Sequence, residues 1–443
     1  MFINGSNPYR NLIAGVNTEV PLRNGSFTPY INFDNAATTP PFIPVVNRIV
    51  DFSQWYSSIH RGTGYKSKAS SEIYDSSRKA VLDFVGGTWG KDCVIYVKNT
   101  TEAINKLSNM YKEIYGTGVI LSTFMEHHSN DLPWRNKFHV DYVNIDQEGR
   151  LDLEDMEKKL QTYGEQVRLV TITGASNVTG YKNPIYDAAR LAHKYGTKIF
   201  VDGAQLVPHC SIDMMDHSSP KHIDYLAFSA HKMYAPFGIG VLIGPNSTFG
   251  QCSPDYKGGG TIDIVTHDFI KWAKLPDKEE AGTPNVMGVV ALLESINILS
   301  SIGMEYIDRY ERSLAEYAYD KLTKIPDMEL YDFHKRSNDR VSIIPFNIKG
   351  LHHSQTARIL SEEAGIGVRN GCFCAQPYIQ RLLNVSDEEM EERKKGNIKN
   401  PPGFVRLSFG LYNTIEEINI LTRMLENIVN NKEHYMKEYP LES

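Results

Sequence analysis

Residues 198–205, KIFVDGAQ, and residues 225–232, YLAFSAHK, each pass from a block of β-branched or apolar residues straight into polar ones. Such a short apolar run reads as a buried strand that delivers polar groups at its carboxyl end. Outward from these two, the runs 94–97, 118–122, 167–173 and 240–243 have the same character, with amphipathic stretches at 101–115, 152–164 and 185–195 between several of them. Strands alternating with helices predict an α/β fold on a mainly parallel sheet, in which ligands gather beyond the carboxyl ends of the strands. The polar residues collect there. Thr100 and Thr101 follow one run, His127 and His128 another, Asn177 a third, Asp202 and Gln205 a fourth, and Ser229, His231 and Lys232 a fifth.

Beyond residue 285 the pattern changes. Long helices are expected over 286–301 and 304–324, followed by a strand-like run at 341–348, which together predict a smaller α+β domain over 286–443. Residues 1–30 are expected to join it, leaving 31–285 as the large domain. The charge-rich stretch 387–399 and the following Asn400-Pro401-Pro402-Gly403 predict an exposed insertion over 387–402.

With 443 residues, 41% hydrophobic and 23% charged, the chain has the composition of an ordinary globular protein large enough for two cores. Its net charge of -6 gives no general pull toward polyanions, so nucleic acid is not an expected partner. No run of about 18 apolar residues suggests a membrane span, and Met1 to Arg10 does not read as a signal peptide. Five cysteines form an odd, sparse set that suits a reducing compartment, so a cytoplasmic location is expected.

Lys232, at the end of an apolar run, is placed to have its amine pKa lowered and to form a Schiff base. Asp202 reads either as the carboxylate that keeps a pyridine nitrogen protonated or as a cap on the following turn. Asn99-Thr100-Thr101 opens a helix, and the same atoms serve an N-cap or a phosphate site. Glu126-His127-His128 could offer an imidazole to a flat cofactor or to a metal. The cysteines and histidines are read as lacking zinc-like spacing, with Cys372 and Cys374 too close together, so no metal site is expected.

In order along the chain, Asp34-Asn35-Ala36-Ala37-Thr38-Thr39, Thr100-Thr101-Glu102, Glu126-His127-His128, Ser176-Asn177, Asp202-Gly203-Ala204-Gln205 and Ser229-x-His231-Lys232 resemble the motifs of class V aminotransferase-fold enzymes. Ala281-Gly282-Thr283-Pro284-Asn285, Arg369-x-Gly371-x-x-Cys374-Ala375-Gln376-Pro377 and Arg406-Leu407-Ser408 narrow the likeness to group II cysteine desulfurases and selenocysteine lyases. It spans about residues 30 to 430. The resemblance implies fold type I and pyridoxal 5'-phosphate (PLP), with Lys232 as its Schiff-base lysine, His127 stacking on the ring, Asp202 on the pyridine nitrogen and Gln205 on the phenolic oxygen. Thr101, Ser229 and His231 are implied for the phosphate, beside the Thr100 that the helix-start motif already offers to a cofactor, and Thr283 for the phosphate of the neighbouring subunit in a homodimer. Asn177 and Arg406 would bind the substrate L-cysteine, supported by Arg369, and Cys374 would take its sulfur as a persulfide for an acceptor protein.

Two departures stand out. Cys372 and Phe373 replace the pair of histidines usual before the cysteine. Gly371-Cys372-Phe373-Cys374, with the charged insertion after it, also resembles the desulfurase part of molybdenum cofactor sulfurases. A selenocysteine lyase, or another PLP-dependent C–S lyase of a specialised pathway, is the alternative activity.

Overall fold

The computed structural model describes residues 7–331 and 339–441. Seven strands form the large sheet: β1 (Asp92–Val97), β2 (Val119–Thr123), β3 (His139–Val143), β4 (Val167–Thr173), β5 (Lys198–Asp202), β6 (Tyr225–Ser229) and β7 (Gly240–Pro245). Their spatial order is β1-β7-β6-β5-β4-β2-β3. The pairs from β6 to β3 are all parallel, whereas β7 runs antiparallel to both neighbours, so the sheet is mainly parallel with one reversed strand. β1, β2, β6 and β7 are buried at every position. Strands covered on both faces read as continuous apolar runs, which is why composition located them. β3 was not anticipated. It lies at the sheet edge and carries the exposed and half-buried sequence HVDYV, so it lacks that signal.

The chain divides into two compact units. One comprises residues 41–175 and 183–304, and the other the residues up to 40, 176–182 and those from 305 onward. This moves the expected boundary after residue 285 to about 304. Helix α6 (Val286–Ile302) packs on α1 (Ile43–Ser53) and α2 (Tyr65–Val85), and so belongs with the large unit. Residues 31–40 fall in the smaller unit, as does the loop 176–182.

In the smaller unit a four-stranded sheet has the order β8-β9-β11-β10, from Met328–Leu330, Ile343–Ile348, Phe404–Ser408 and Arg369–Gly371 respectively. Its core joins Phe33, Leu314, Phe346, Leu407, Phe409 and Leu421. The charged stretch folds in part as a helix, Asp387–Lys394, with no buried residue and Ser386 accepting the Glu389 N–H at its start (3.2 Å). Among the described residues no single helix is long and apolar enough to cross a membrane.

Candidate active site

The first group of site residues lies at the carboxyl ends of β1, β2, β5 and β6, all within the large unit. β1 hands over to α3 (Thr100–Tyr115), whose N-cap Asn99 accepts the Glu102 N–H (3.0 Å). Thr100 is turned inward. Its N–H donates to Ser229 Oγ at 2.8 Å and the two hydroxyls are 2.7 Å apart, so Thr100 fastens the end of β1 to the end of β6. Thr101 is exposed instead, and its hydroxyl bonds Ser129 Oγ (2.7 Å). Close approach fixes residue type here: a Cβ on Gly240 would lie 2.6 Å from the Asn99 backbone.

Ser129 also orders His127. Its N–H donates to Nδ1 at 3.1 Å with Oγ 3.0 Å away, which puts the neutral ring's proton on Nε2. Beneath it, Glu126 is buried and accepts from the Thr123 hydroxyl (2.6 Å), the Asn130 amide (2.6 Å) and the Thr173 N–H (2.9 Å). Burial nevertheless pushes its carboxyl up to about 8.

Asp202 ends β5 fully inside the protein. Burial raises its carboxyl pKa, opposed by the Ala204 N–H (3.0 Å) and by the nearby Lys232 ammonium. Asp202 therefore does cap the turn, yet also senses the lysine one strand away. Gly203 lets this happen, since a Cβ there would meet Val207, Leu226 and the Ala227 carbonyl at 2.8–3.1 Å. Gln205 is buried close by in sequence. His231 and Lys232 lie in a single turn of 3₁₀ helix, Ala230–Lys232, directly after β6. Burial, then the Lys232 charge, lowers His231 to about 4, so it stays neutral at physiological pH. Thr283 is exposed just beyond Glu280, whose carboxylate forks onto Arg78 (2.8 and 2.9 Å) and accepts from the Tyr74 hydroxyl (2.6 Å) and the Tyr96 N–H (2.7 Å).

The second group belongs to the smaller unit. Arg406 and Arg369 sit directly opposite each other on β11 and β10. Two like charges so placed repel, and Asp34 resolves the conflict: Oδ2 accepts from Arg369 (2.9 Å) and Oδ1 from Arg406 (3.1 Å). Arg406 also donates to the Asn177 carbonyl (2.8 Å) and lies over the Phe373 ring at 4.8 Å. Burial lowers the guanidinium to about 10 despite Asp34, and Cys374 is close enough to contribute to its field. The Asn177 amide donates to the Phe373 carbonyl (2.7 Å). Phe373 and Cys374 both have positive φ, 48° and 55°. Non-glycine residues pay about 1–3 kcal/mol each for such backbone, and here the turn leaves Cys374 exposed. Cys372 is half-buried, its thiol 3.4 Å from the Pro402 carbonyl.

Asp34, Ser129, Phe373 and the Arg78–Glu280 pair had no assigned task. Asp34 stood inside a quoted motif, but pairing two arginines some 335 and 372 positions away leaves no local pattern.

A strand-end lysine beside a buried carboxylate, on this mainly parallel sheet, is the architecture of fold type I PLP-dependent enzymes. The chain belongs to the aminotransferase class-V family, whose model matches residues 31–421. It is 34% identical over 90% of its length to a cysteine desulfurase of Haloferax volcanii, 89% of which is covered. A probable cysteine desulfurase of Halalkalibacterium halodurans is likewise 34% identical, over 91% of this chain and 93% of that one. Among solved structures, apo cysteine desulfurase from Thermococcus onnurineus superposes with TM-score 0.81 at 30% identity, covering 97% of this chain and all of that one.

Proposed function

We propose that this chain is a PLP-dependent cysteine desulfurase that converts L-cysteine to L-alanine and carries the sulfur as a persulfide on Cys374. The observation that carries this reading is the exposed Cys374 in a left-handed turn next to the buried Arg406. A guanidinium suited to the substrate carboxylate and a thiol suited to its sulfur would thereby serve one substrate.

The large unit's donor set fits PLP. The buried Asp202 carboxyl suits a protonated pyridine nitrogen, which would keep it ionised against its burial. Lys232 would hold the cofactor covalently, with His127 against its ring and Gln205 at its phenolic oxygen. Thr101, Ser229 and the neutral His231 would donate to the phosphate at the start of α3, where the positive end of the helix dipole favours an anion, and Thr100 would fix Ser229 in place. When bound, the cofactor supplies an electron sink for the substrate α-carbon.

Arg406 would fork onto the substrate carboxylate, as a planar guanidinium does best, with Asp34 and Asn177 holding its orientation and Arg369 sharing Asp34. Lys232 Nζ would take the α-proton. The Cys374 thiolate then attacks the substrate sulfur. An S–S bond forms as the substrate Cβ–S bond breaks, its electron pair stays with Cβ, and a proton completes alanine. The persulfide waits for a thiol acceptor.

We further read the chain as a homodimer, with Thr283 reaching the neighbouring subunit's phosphate. Support comes from the hairpin Ile262–Val265 with Ile270–Trp272, where Ile264, Val265, Phe269 and Ile270 are all about half exposed. The hairpin's root is tied to the same segment by the Gly282 N–H to the Gly259 carbonyl (2.7 Å).

The test is alanine release together with intact-mass measurement after incubation with PLP and L-cysteine. Wild type should gain one sulfur, lost in Cys374→Ala along with alanine formation. Full alanine production by Cys374→Ala would overturn the mechanism.

A further inference from the structure

At the end of the large sheet where its parallel strands begin, Asp92, His217 and His222 converge, with one ligand-type atom from each lying within 4.8 Å of the others. Asp92 opens β1, while both histidines sit in the segment between β5 and β6. Both β1 and β6 begin here. Lys232 follows the end of β6, so strands of five or six residues, about 15–20 Å, separate the cluster from the lysine.

Its chemistry is specific. His222 is buried, 3% exposed, with Nδ1 2.9 Å from the carbonyls of both Met214 and Met215. A carbonyl can only accept, so Nδ1 carries the proton and the Nε2 lone pair is left bare. No hydrogen-bond partner reaches that buried Nε2 among the described residues. A carbonyl fixing one imidazole nitrogen while the other stands bare is how metal-ligating histidines are held. His217 Nε2 donates to Asp92 Oδ1 at 2.8 Å, and its ring lies over that of His222 at 4.1 Å. The second Asp92 oxygen accepts the Thr88 N–H (2.7 Å), which orients the carboxylate. His193 is not available as a ligand, since its two nitrogens are engaged by Asp224 (2.8 Å) and the Pro220 carbonyl (2.9 Å).

We propose that Asp92, His217 and His222 form a binding site for a divalent first-row metal, best suited to Zn²⁺, with water completing the tetrahedron. Two imidazoles and one carboxylate are borderline ligands of the type zinc takes, at about 2.0–2.2 Å. Binding requires His217 to move its proton from Nε2 to Nδ1, which trades the Asp92 hydrogen bond for two metal bonds. Four residues separate the histidines, a spacing found in zinc sites. No cysteine accompanies this pair and its third ligand lies 125 residues from His217, so the proposed site leaves little mark on the sequence. Such a site would clip the 203–224 segment to β1. It stands apart from the proposed reaction and does not depend on it.

The experiment uses the full-length protein, stripped with a chelator and with accessible thiols alkylated, to which Zn²⁺ alone is added. Wild type is expected to bind one Zn²⁺ per chain and to unfold at a higher temperature when loaded. His217→Gln, whose amide can still donate to Asp92, is expected to keep the fold by circular dichroism, to weaken Zn²⁺ binding by about 100-fold and to abolish the thermal shift. His222→Gln should do the same if it folds. Absence of stoichiometric Zn²⁺ in wild type would overturn the proposal, as would unchanged binding in His217→Gln.

Discussion

Arg406 is nearly encased, and a buried charge survives only when it is paired. Asp34, the Asn177 carbonyl and the Phe373 ring supply that pairing, while Nε lacks a partner among the described residues. Arg406→Lys keeps the charge but loses the fork. It is expected to raise KM for L-cysteine by about 10- to 100-fold, a loss of roughly 1.4–2.7 kcal/mol, with a smaller change in kcat; steady-state kinetics reads this directly. Glu126 allows a pH prediction. The unfolded carboxyl releases its proton near 4.5, whereas the folded one holds it to about 8. The folded state therefore binds more protons across that window, and this residue's contribution to stability is lost as pH rises through it. Glu126→Gln removes the effect. The unfolding free energy of the variant minus that of wild type should climb with pH between these values, by up to about 1.4 kcal/mol per unit. A flat difference in chemical denaturation would refute the assignment.

At the scale of elements, the buried strands carried their own signature; the helices α3 and α5 (Ile185–Lys194) differ from expectation by one residue at one end, and α4 (Leu153–Tyr163) by one residue at each end. Amphipathic period and caps are local properties, so a sequence displays them. The edge strand β3 and the helical form of the charged stretch at Asp387–Lys394 are less legible, because neither buries a continuous apolar face. What joins elements is less local still. Arg78 of α2 ties the segment before Thr283 to β1 through Glu280, with both side chains over nine-tenths buried. Arg78→Met should leave the carboxylate uncompensated, costing about 3–5 kcal/mol. Chemical denaturation would detect that, and a change under 1 kcal/mol would argue against so tight a pairing.

For the molecule as a whole, the half-exposed apolar hairpin leads to a prediction about assembly. Phe269→Glu combined with Ile270→Lys is expected to convert a dimer into monomers on size-exclusion chromatography with light scattering, without loss of helical signal; a dimer unaffected by both charges would place the interface elsewhere. The sequence by itself determined the class of fold and most of the candidate residues. Strand runs, helix periods and motifs such as Ser229-x-His231-Lys232 are contiguous, and local sterics and burial act on contiguous residues. Only the tertiary structure decided that Thr100 faces Ser229 while Thr101 faces outward, that Asp34 reconciles two arginines, that α6 belongs with the large unit, and that Asp92 meets His217 and His222. Those outcomes depend on which chain segments pack together, and the energy of such encounters resides in pairs of residues far apart in the chain.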